Sequence, residues 1–262
     1  MYIIEFENID LGYDENLVLK DINLKIKQGE HWAILGANGS GKSTLLKLIQ
    51  SQIHPRANKK FKKEIFGKSR YSIFELKKEL GIITNDLHSY FAKEAYYLSA
   101  YEVVLSGYYG WVGMFDYKEF SDIQKQKAYD VMEFVEILDI KNKKVSAMST
   151  GELRRALIAR ALIDSPKVFI LDEPTVGLDI KSQINFIKML KKLAQNSSII
   201  LVTHHLEEIF EEIDNIALIH NQTIYKQGKK EDILTSKNLS EIFNLDLKID
   251  KKNGRYYIKS IG

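Results

Sequence analysis

Gly36-Ala37-Asn38-Gly39-Ser40-Gly41-Lys42-Ser43 follows directly on His31-Trp32-Ala33-Ile34-Leu35 and runs straight into Thr44-Leu45-Leu46-Lys47-Leu48-Ile49. The run before it is short and mostly apolar, as a buried strand is, and in the run after it the apolar residues recur at helical spacing. Strand, glycine-rich turn and helix in that order match GxxxxGK followed by Ser or Thr, in the context that gives the pattern its meaning. Glycines there let successive backbone N–H groups point into one concavity at the positive end of a helix, which suits the concentrated negative charge of a triphosphate. Gly36, Ala37, Asn38, Gly39, Ser40 and Gly41 are therefore read as a phosphate cradle. Lys42 adds a mobile point charge for the β and γ phosphates, Ser43 a hydroxyl for Mg2+, and Thr44 supports the loop.

Working outward, Val168-Phe169-Ile170-Leu171 is an apolar strand ending in Asp172-Glu173. Asp172 is placed as a Mg2+ partner through water, and Glu173, pointing the other way along a strand, as the group that polarises an attacking water. A second apolar strand, Ile199 to Val202, follows a helical stretch from about Lys181 to Gln195, which makes a βαβ crossover and a mostly parallel sheet. The fold class is α/β. Alternation at Tyr2 to Phe6 and Val18 to Ile26, broken by a polar turn around Asp14, Glu15 and Asn16, predicts antiparallel strands at the start of the chain. Between Leu87 and Asp164 the pattern is helical: Ser99 and Glu102 have the form of a capping box, and Ile123, Val131, Phe134, Val135 and Leu138 fall on one helical face. Leu245 to Ile249 and Arg255 to Lys259, joined by Lys251-Lys252-Asn253-Gly254, predict a terminal hairpin.

Composition excludes other classes. At 262 residues the chain can bury a large core, and 45% apolar with 28% charged residues is a globular mixture. With no cysteine, thiol catalysis and cysteine-based zinc sites are excluded. No run approaches the roughly 20 apolar residues that a membrane helix needs. Met1-Tyr2-Ile3-Ile4-Glu5-Phe6-Glu7 carries acid where a secretory signal carries base, so no export is expected.

Just before the acidic strand stands Ser149-Thr150-Gly151-Glu152-Leu153-Arg154-Arg155-Ala156-Leu157-Ile158-Ala159-Arg160. This order of parts resembles the ATP-binding-cassette (ABC) ATPase family over nearly the whole chain. The resemblance implies a P-loop NTPase core with a mostly parallel sheet, an N-terminal antiparallel β lobe and a helical insertion. It divides the chain into β lobe and core at 1–86 and 165–228, helical subdomain at 87–164, and a C-terminal helix and hairpin at 229–262. The family's signature is usually Leu-Ser-Gly-Gly-Gln; the matching positions are Met148, Ser149, Thr150, Gly151 and Glu152. By resemblance Ser149, the Gly151 amide and Glu152 belong to a helix start that meets a γ phosphate; taken alone, Ser-x-Gly-Glu is a plain N-cap, and Arg154, Arg155 and Arg160 are a basic helix face. Tyr13 matches the aromatic that stacks on adenine, Gly177-Leu178-Asp179 the D-loop, and His204 the switch histidine that reaches a γ phosphate; His205 reads as structural. The family's Q-loop Gln is replaced: Leu80-Gly81-Ile82-Ile83-Thr84 leads to Asn85. Either Asn85 still reaches Mg2+ through water, or Asp86 does, or this link is altered.

The subgroup it looks most like is that of bacterial importer ATPases near the molybdate and iron-chelate systems. The resemblance implies an Mg-dependent ATPase that binds ATP between two copies head to tail, as a homodimer or a heterodimer with a related ATPase. It would power a polytopic membrane permease from the inner, cytoplasmic face of the membrane, with no direct binding of cargo. Tyr90, Phe91, Tyr96, Tyr97, Tyr101, Tyr108, Tyr109, Trp111 and Phe115 follow the Q-loop, either as a docking surface for permease helices or as core of the helical lobe. The alternative is a soluble ABC ATPase acting on nucleic acid, the ribosome or an assembly complex. Its support is the basic run Arg56, Lys59, Lys60, Lys62 and Lys63, which a solvated loop explains better; with a net charge of +3, nucleic acid is not the expected partner.

Overall fold

The computed structural model describes residues 1–109, 120–252 and 254–262, without the side chains of 73, 74 and 77. In chain order the elements begin β1 (Tyr2–Tyr13), β2 (Asn16–Lys27), β3 (Trp32–Leu35), α1 (Lys42–Ile49), β4 (Lys62–Ile65), α2 (Ile73–Glu79), β5 (Leu80–Ile83), α3 (Asn85–Glu94) and α4 (Ala100–Leu105). They continue with α5 (Asp122–Phe134), α6 (Thr150–Leu162), β6 (Val168–Asp172), α7 (Ile180–Ala194) and β7 (Ser198–Thr203). The chain ends with β8 (Asn215–His220), β9 (Thr223–Lys229), α8 (Lys230–Ile233), α9 (Ser236–Phe243), β10 (Leu247–Lys252) and β11 (Arg255–Ile261). Two compact units share these elements: Met1–Leu76 with Ser198–Gly262, and Lys77–Ser197.

In the first unit β1 and β2 form the expected antiparallel pair, closed by the Asp14-Glu15 turn between paired Tyr13 and Asn16. Ile4, Phe6, Ile9 and Leu11 of β1 and Leu19, Ile22, Leu24 and Ile26 of β2 are all fully buried, which fixes the register by the face they share. The other edge of β1 pairs with β4, Ile4 opposite Ile65 and Glu5 opposite Glu64. Here the structure departs in part from the sequence reading: Arg56, Lys59 and Lys60 stand in a loop, with Lys60 exposed, but Lys62 and Lys63 belong to β4 and the run is not an open phosphate surface. Lys59 Nζ lies 2.9 Å from Asp10 and 3.1 Å from Asp21. Lys62 reaches Glu5 at 2.8 Å and Glu64 at 3.3 Å, and Arg56 donates to the Asp14 carbonyl at 2.7 Å. Burial raises the pKa of Asp10, but hydrogen bonds from Lys59, the Asp21 amide and Asn58 outweigh it and bring it to about 2. Beyond this sheet, β3 runs parallel to β7 on one side and β8 on the other, and β9 pairs antiparallel with β8. All four residues of β3 and all six of β7 are buried, the continuous apolar pattern of parallel strands covered on both faces. The terminal hairpin forms as expected from β10 and β11, after α9.

In the second unit β5 and β6 are parallel neighbours, Ile83 opposite Leu171. The capping box at Ser99 and Glu102 is present, and a further one starts α5 at Ser121 and Gln124. One expectation fails in part. Val131 and Val135 are buried as the helical period requires, but Ile123 is 83% exposed. α5 stops at Phe134, and Glu136 turns to a positive φ of 60°, so the five apolar positions do not share one face. The aromatic stretch divides: Phe91 is fully buried and Tyr101 stacks on Tyr129 at 5.0 Å, whereas Tyr90, Tyr96, Tyr97 and Tyr109 are exposed. Gly110, Trp111 and Phe115 lie outside the described residues.

Candidate nucleotide site

The loop from β3 to α1 is built in the first unit from the strand outward. Leu35 ends β3 in the core, and at Gly36 the backbone passes so close to its neighbours that an added Cβ would lie 2.6 Å from Ser40 Oγ and 2.7 Å from the Ile219 carbonyl. At the other end Gly41 has φ +105°, and a Cβ there would lie 2.5 Å from Leu19 Cδ2. A side chain at either position would displace the loop. Between them Lys42, only 7% exposed, folds its ammonium back onto the loop, donating to the Gly36 carbonyl at 2.7 Å and the Ala37 carbonyl at 3.0 Å. That posture holds a cation at the rim of the cradle before any anion arrives. Ser40 Oγ is buried and has no hydrogen-bond partner among the described residues, and the N-cap Gly41 offers α1 no side-chain cap. A helix start leaves its first N–H groups without intrahelical partners, and α1 has no acid in its first turn to answer them. The open helix start, the buried hydroxyl and the cationic rim all fit a phosphate. Ser43 is exposed, with its hydroxyl at the surface, and Thr44 is buried behind it.

Tyr13 ends β1, 42% exposed, with Lys47 Nζ 5.5 Å from the centre of its ring and within 3.3 Å of its hydroxyl. His204 follows β7 directly, half-buried beside the ring of His205 at 3.9 Å. The His205 amide donates to Thr203 Oγ1 at 2.8 Å, in keeping with a structural reading of that residue.

In the second unit Asp172 is the last residue of β6, and Glu173 is not part of the strand. Its φ is 47°, in the left-handed region that a non-glycine residue adopts at a cost. The direction of its carboxylate is thus set by a turn rather than by the pleat that the sequence suggested. Asn85 likewise is the first residue of α3, after the N-cap Thr84, whose hydroxyl accepts from the Leu87 amide at 3.1 Å. The two are joined by Arg154. This side chain donates to the Glu173 carbonyl at 2.8 Å, to the Val176 carbonyl at 2.7 Å and to Asn85 Oδ1 at 3.1 Å. Reading Arg154, Arg155 and Arg160 as a basic helix face missed this. Arg154 is 4% exposed, and Arg160 is buried enough for its pKa to fall to about 10, with Ser106 Oγ at 2.8 Å. Only Arg155, reaching Glu136 at 3.6 Å, resembles a surface pair. Close by, burial and then the charge of Arg154 hold His88 below the usual histidine pKa, against a hydrogen bond to the Thr150 backbone.

The start of α6 is a complete capping box. Ser149 Oγ accepts from the Glu152 amide at 3.2 Å, and Glu152 accepts from the Ser149 amide at 2.7 Å. Lys143 holds the same carboxylate at 2.8 Å. Gly151 faces the D-loop, since an added Cβ would lie 3.5 Å from Leu178 and 3.9 Å from Ser182. Asp179 caps α7, accepting from the amide and hydroxyl of Ser182 at 2.9 and 2.8 Å. Among the described residues no cluster of three or more His, Cys, Asp or Glu could hold a metal by itself. Ser43 in the first unit and Asp172 in the second each carry an oxygen donor of the kind that Mg2+ takes.

The ABC transporter family model matches residues 19–176. An uncharacterised ABC transporter ATP-binding protein of Bacillus subtilis (strain 168) is 30% identical over 251 residues, covering 94% of this chain and 93% of its own. Among solved structures, an inward-facing metal-chelate type ABC transporter superposes with a TM-score of 0.79 at 25% identity, covering 98% of this chain and 96% of that one. The cbiO1 protein from Clostridium perfringens, part of the ABC transporter complex cbiONQ, superposes with a TM-score of 0.73 at 29% identity, covering 93% of this chain and 94% of that one.

Proposed function

The chain belongs to the ABC transporter family as an ATP-binding, ATP-hydrolysing subunit, and from that premise we propose that it powers an importer through a head-to-tail dimer that closes on two ATP molecules. The observation that carries the reading is the cradle, where Gly36 and Gly41 leave no room for a side chain, α1 starts uncapped and Lys42 is folded over the loop. In each site one copy supplies Gly36 to Gly41, Lys42 and Thr44 to the phosphates and Tyr13 to the adenine. The other copy supplies Ser149, Gly151 and Glu152, with Asp179 at its side. Ser43 and Asp172 would hold Mg2+, with Asn85 as an outer contact, and the ion would supply positive charge against that developing on the phosphates. Glu173 polarises the attacking water, His204 steadies the γ phosphate, and loss of that phosphate removes the contact shared by both copies. The functional division proposed, 1–86 with 165–228, then 87–164, then 229–262, cuts the chain differently from its compact units.

Import is supported by the likeness to a zinc uptake system ATP-binding protein of Listeria innocua, 29% identical over 225 residues. No helix among the described residues is long and apolar enough to cross a membrane, so the pathway for cargo is assigned to separate permease subunits. The exposed Tyr90, Tyr96, Tyr97 and Tyr109 are the surface proposed to meet them from the cytoplasmic face. The rival reading, an ATPase on nucleic acid, loses its support because Lys59 and Lys62 are paired with carboxylates of the first unit. Glu173→Gln tests the proposal. With Mg-ATP the variant is expected to elute as a dimer with ATP retained and its turnover abolished. A variant that stays monomeric and hydrolyses ATP like the parent would overturn it.

A further inference from the structure

Two stretches of the second unit converge on one buried guanidinium. Arg154 holds the carbonyls of Glu173 and Val176 at 2.8 and 2.7 Å, and Asn85 Oδ1 at 3.1 Å. The first two acceptors bracket the turn that follows β6, which is closed internally by the Val176 amide donating to the Glu173 carbonyl at 3.2 Å. That turn begins with Glu173 in the left-handed region, at φ 47°, where an L residue stays only if its surroundings hold it. A planar fork of donors can serve three acceptors in fixed directions; a lysine ammonium cannot reproduce that pattern.

We propose that Arg154 is a positioning residue for hydrolysis, fixing the turn that aims the Glu173 carboxylate and coupling that aim to Asn85. The coupling gives a physical content to the missing Gln. The amide at this position works as a partner of Arg154, so a shift of α3 at Asn85 pulls on the same guanidinium that holds Glu173. The inference rests on Glu173 acting on the attacking water, as proposed above, and goes beyond it by naming what orients that group. Arg154 need not touch ATP for this.

The test uses the full chain and four variants: Arg154→Lys, Asn85→Ala, Glu173→Gln and the double variant Arg154→Lys with Asn85→Ala. Arg154→Lys is expected to lower kcat about a hundredfold, as small misplacements of a reacting group do. KM for ATP should stay within about twofold, the split that separates lost aim from lost binding. Asn85→Ala should lower kcat about tenfold, and in the Arg154→Lys background it should lower it no further, because the path it acts through is already cut. A folded Arg154→Lys enzyme with parental kcat overturns the inference. So does one in which kcat and the thermal midpoint fall while KM rises, which is the mark of a clip that only holds the fold. If Arg154→Lys does not fold, parental kcat in Asn85→Ala overturns it alone. The reading of Glu173 fails separately, if Glu173→Gln turns over like the parent.

Discussion

The two helix starts proposed to meet phosphate are built in opposite ways. α1 begins at Gly41, with no side-chain cap and no acid in its first turn, so its leading N–H groups wait for an outside acceptor. α6 begins at Ser149, whose side chain and that of Glu152 satisfy each other's amides, with Lys143 completing the charge balance. An open end suits a site that a chain fills by itself. A closed end suits one that meets phosphate only when a second copy brings it, and must be stable in the interval.

The comparison breaks most visibly at the open end. Lys42→Ala should weaken binding of Mg-ATP at least about a hundredfold, since charge-assisted hydrogen bonds to phosphate contribute about 1.5 to 3 kcal/mol each. Gly41→Ala should do the same by another route, forcing a side chain to φ +105° against Leu19. Titration calorimetry on the purified chain reads both. Parental affinity in either would mean that the loop is not the site.

At the closed end the expected effect is smaller and of another kind. Ser149→Ala removes half of the box and should cost about 1 kcal/mol of stability, seen as a lower urea midpoint. Binding of ATP by the single chain should be unchanged. In the Glu173→Gln background the same substitution should prevent the ATP-bound dimer. A single-chain affinity that drops with it would place the α6 start in the site of its own chain and abolish the contrast.

What could be read from sequence and what could not follows the same divide between local and tertiary causes. The loop between β3 and α1, the capping box at Ser99, the N-cap at Ser149 and the apolar β3, β6 and β7 are set by residues within a few positions of one another, and all stand where the pattern puts them. β4 was illegible because Lys62-Lys63-Glu64-Ile65 has no strand pattern. It becomes a strand by pairing with β1, where Glu5 and Asp10 answer the lysines. Arg154 was taken for surface for the same reason, since its three acceptors come from Asn85, Glu173 and Val176, far away in sequence. The left-handed turn at Glu173 left no trace either, because glycine is the residue that usually announces it. Alternation of Asp172 and Glu173 along a strand was therefore the wrong geometry for Glu173.

The finest test of the contrast is acid. Burial raises the pKa of Glu152, but the bonds from Lys143 and from the Ser149 amide outweigh it and leave it below the ordinary value. A carboxyl whose folded pKa is depressed adds stability above its unfolded pKa, about 4.3, and loses it as pH falls through the lower folded value. The α6 start should therefore weaken below about pH 4, while α1, with no acid in its first turn, has no such group to lose. Glu152→Gln separates the two contributions, because an amide can still accept from the Ser149 amide but cannot pair with Lys143. At neutral pH the variant should be less stable by a few tenths of a kcal/mol, the scale of a partly exposed ion pair. As pH falls through the lowered folded value its urea midpoint should converge on that of the parent, whose own Glu152 is then protonated and equally uncharged. A gap that stayed constant from neutral to acid pH would show that Lys143 does not lock this carboxylate, and the closed end would rest on the serine alone.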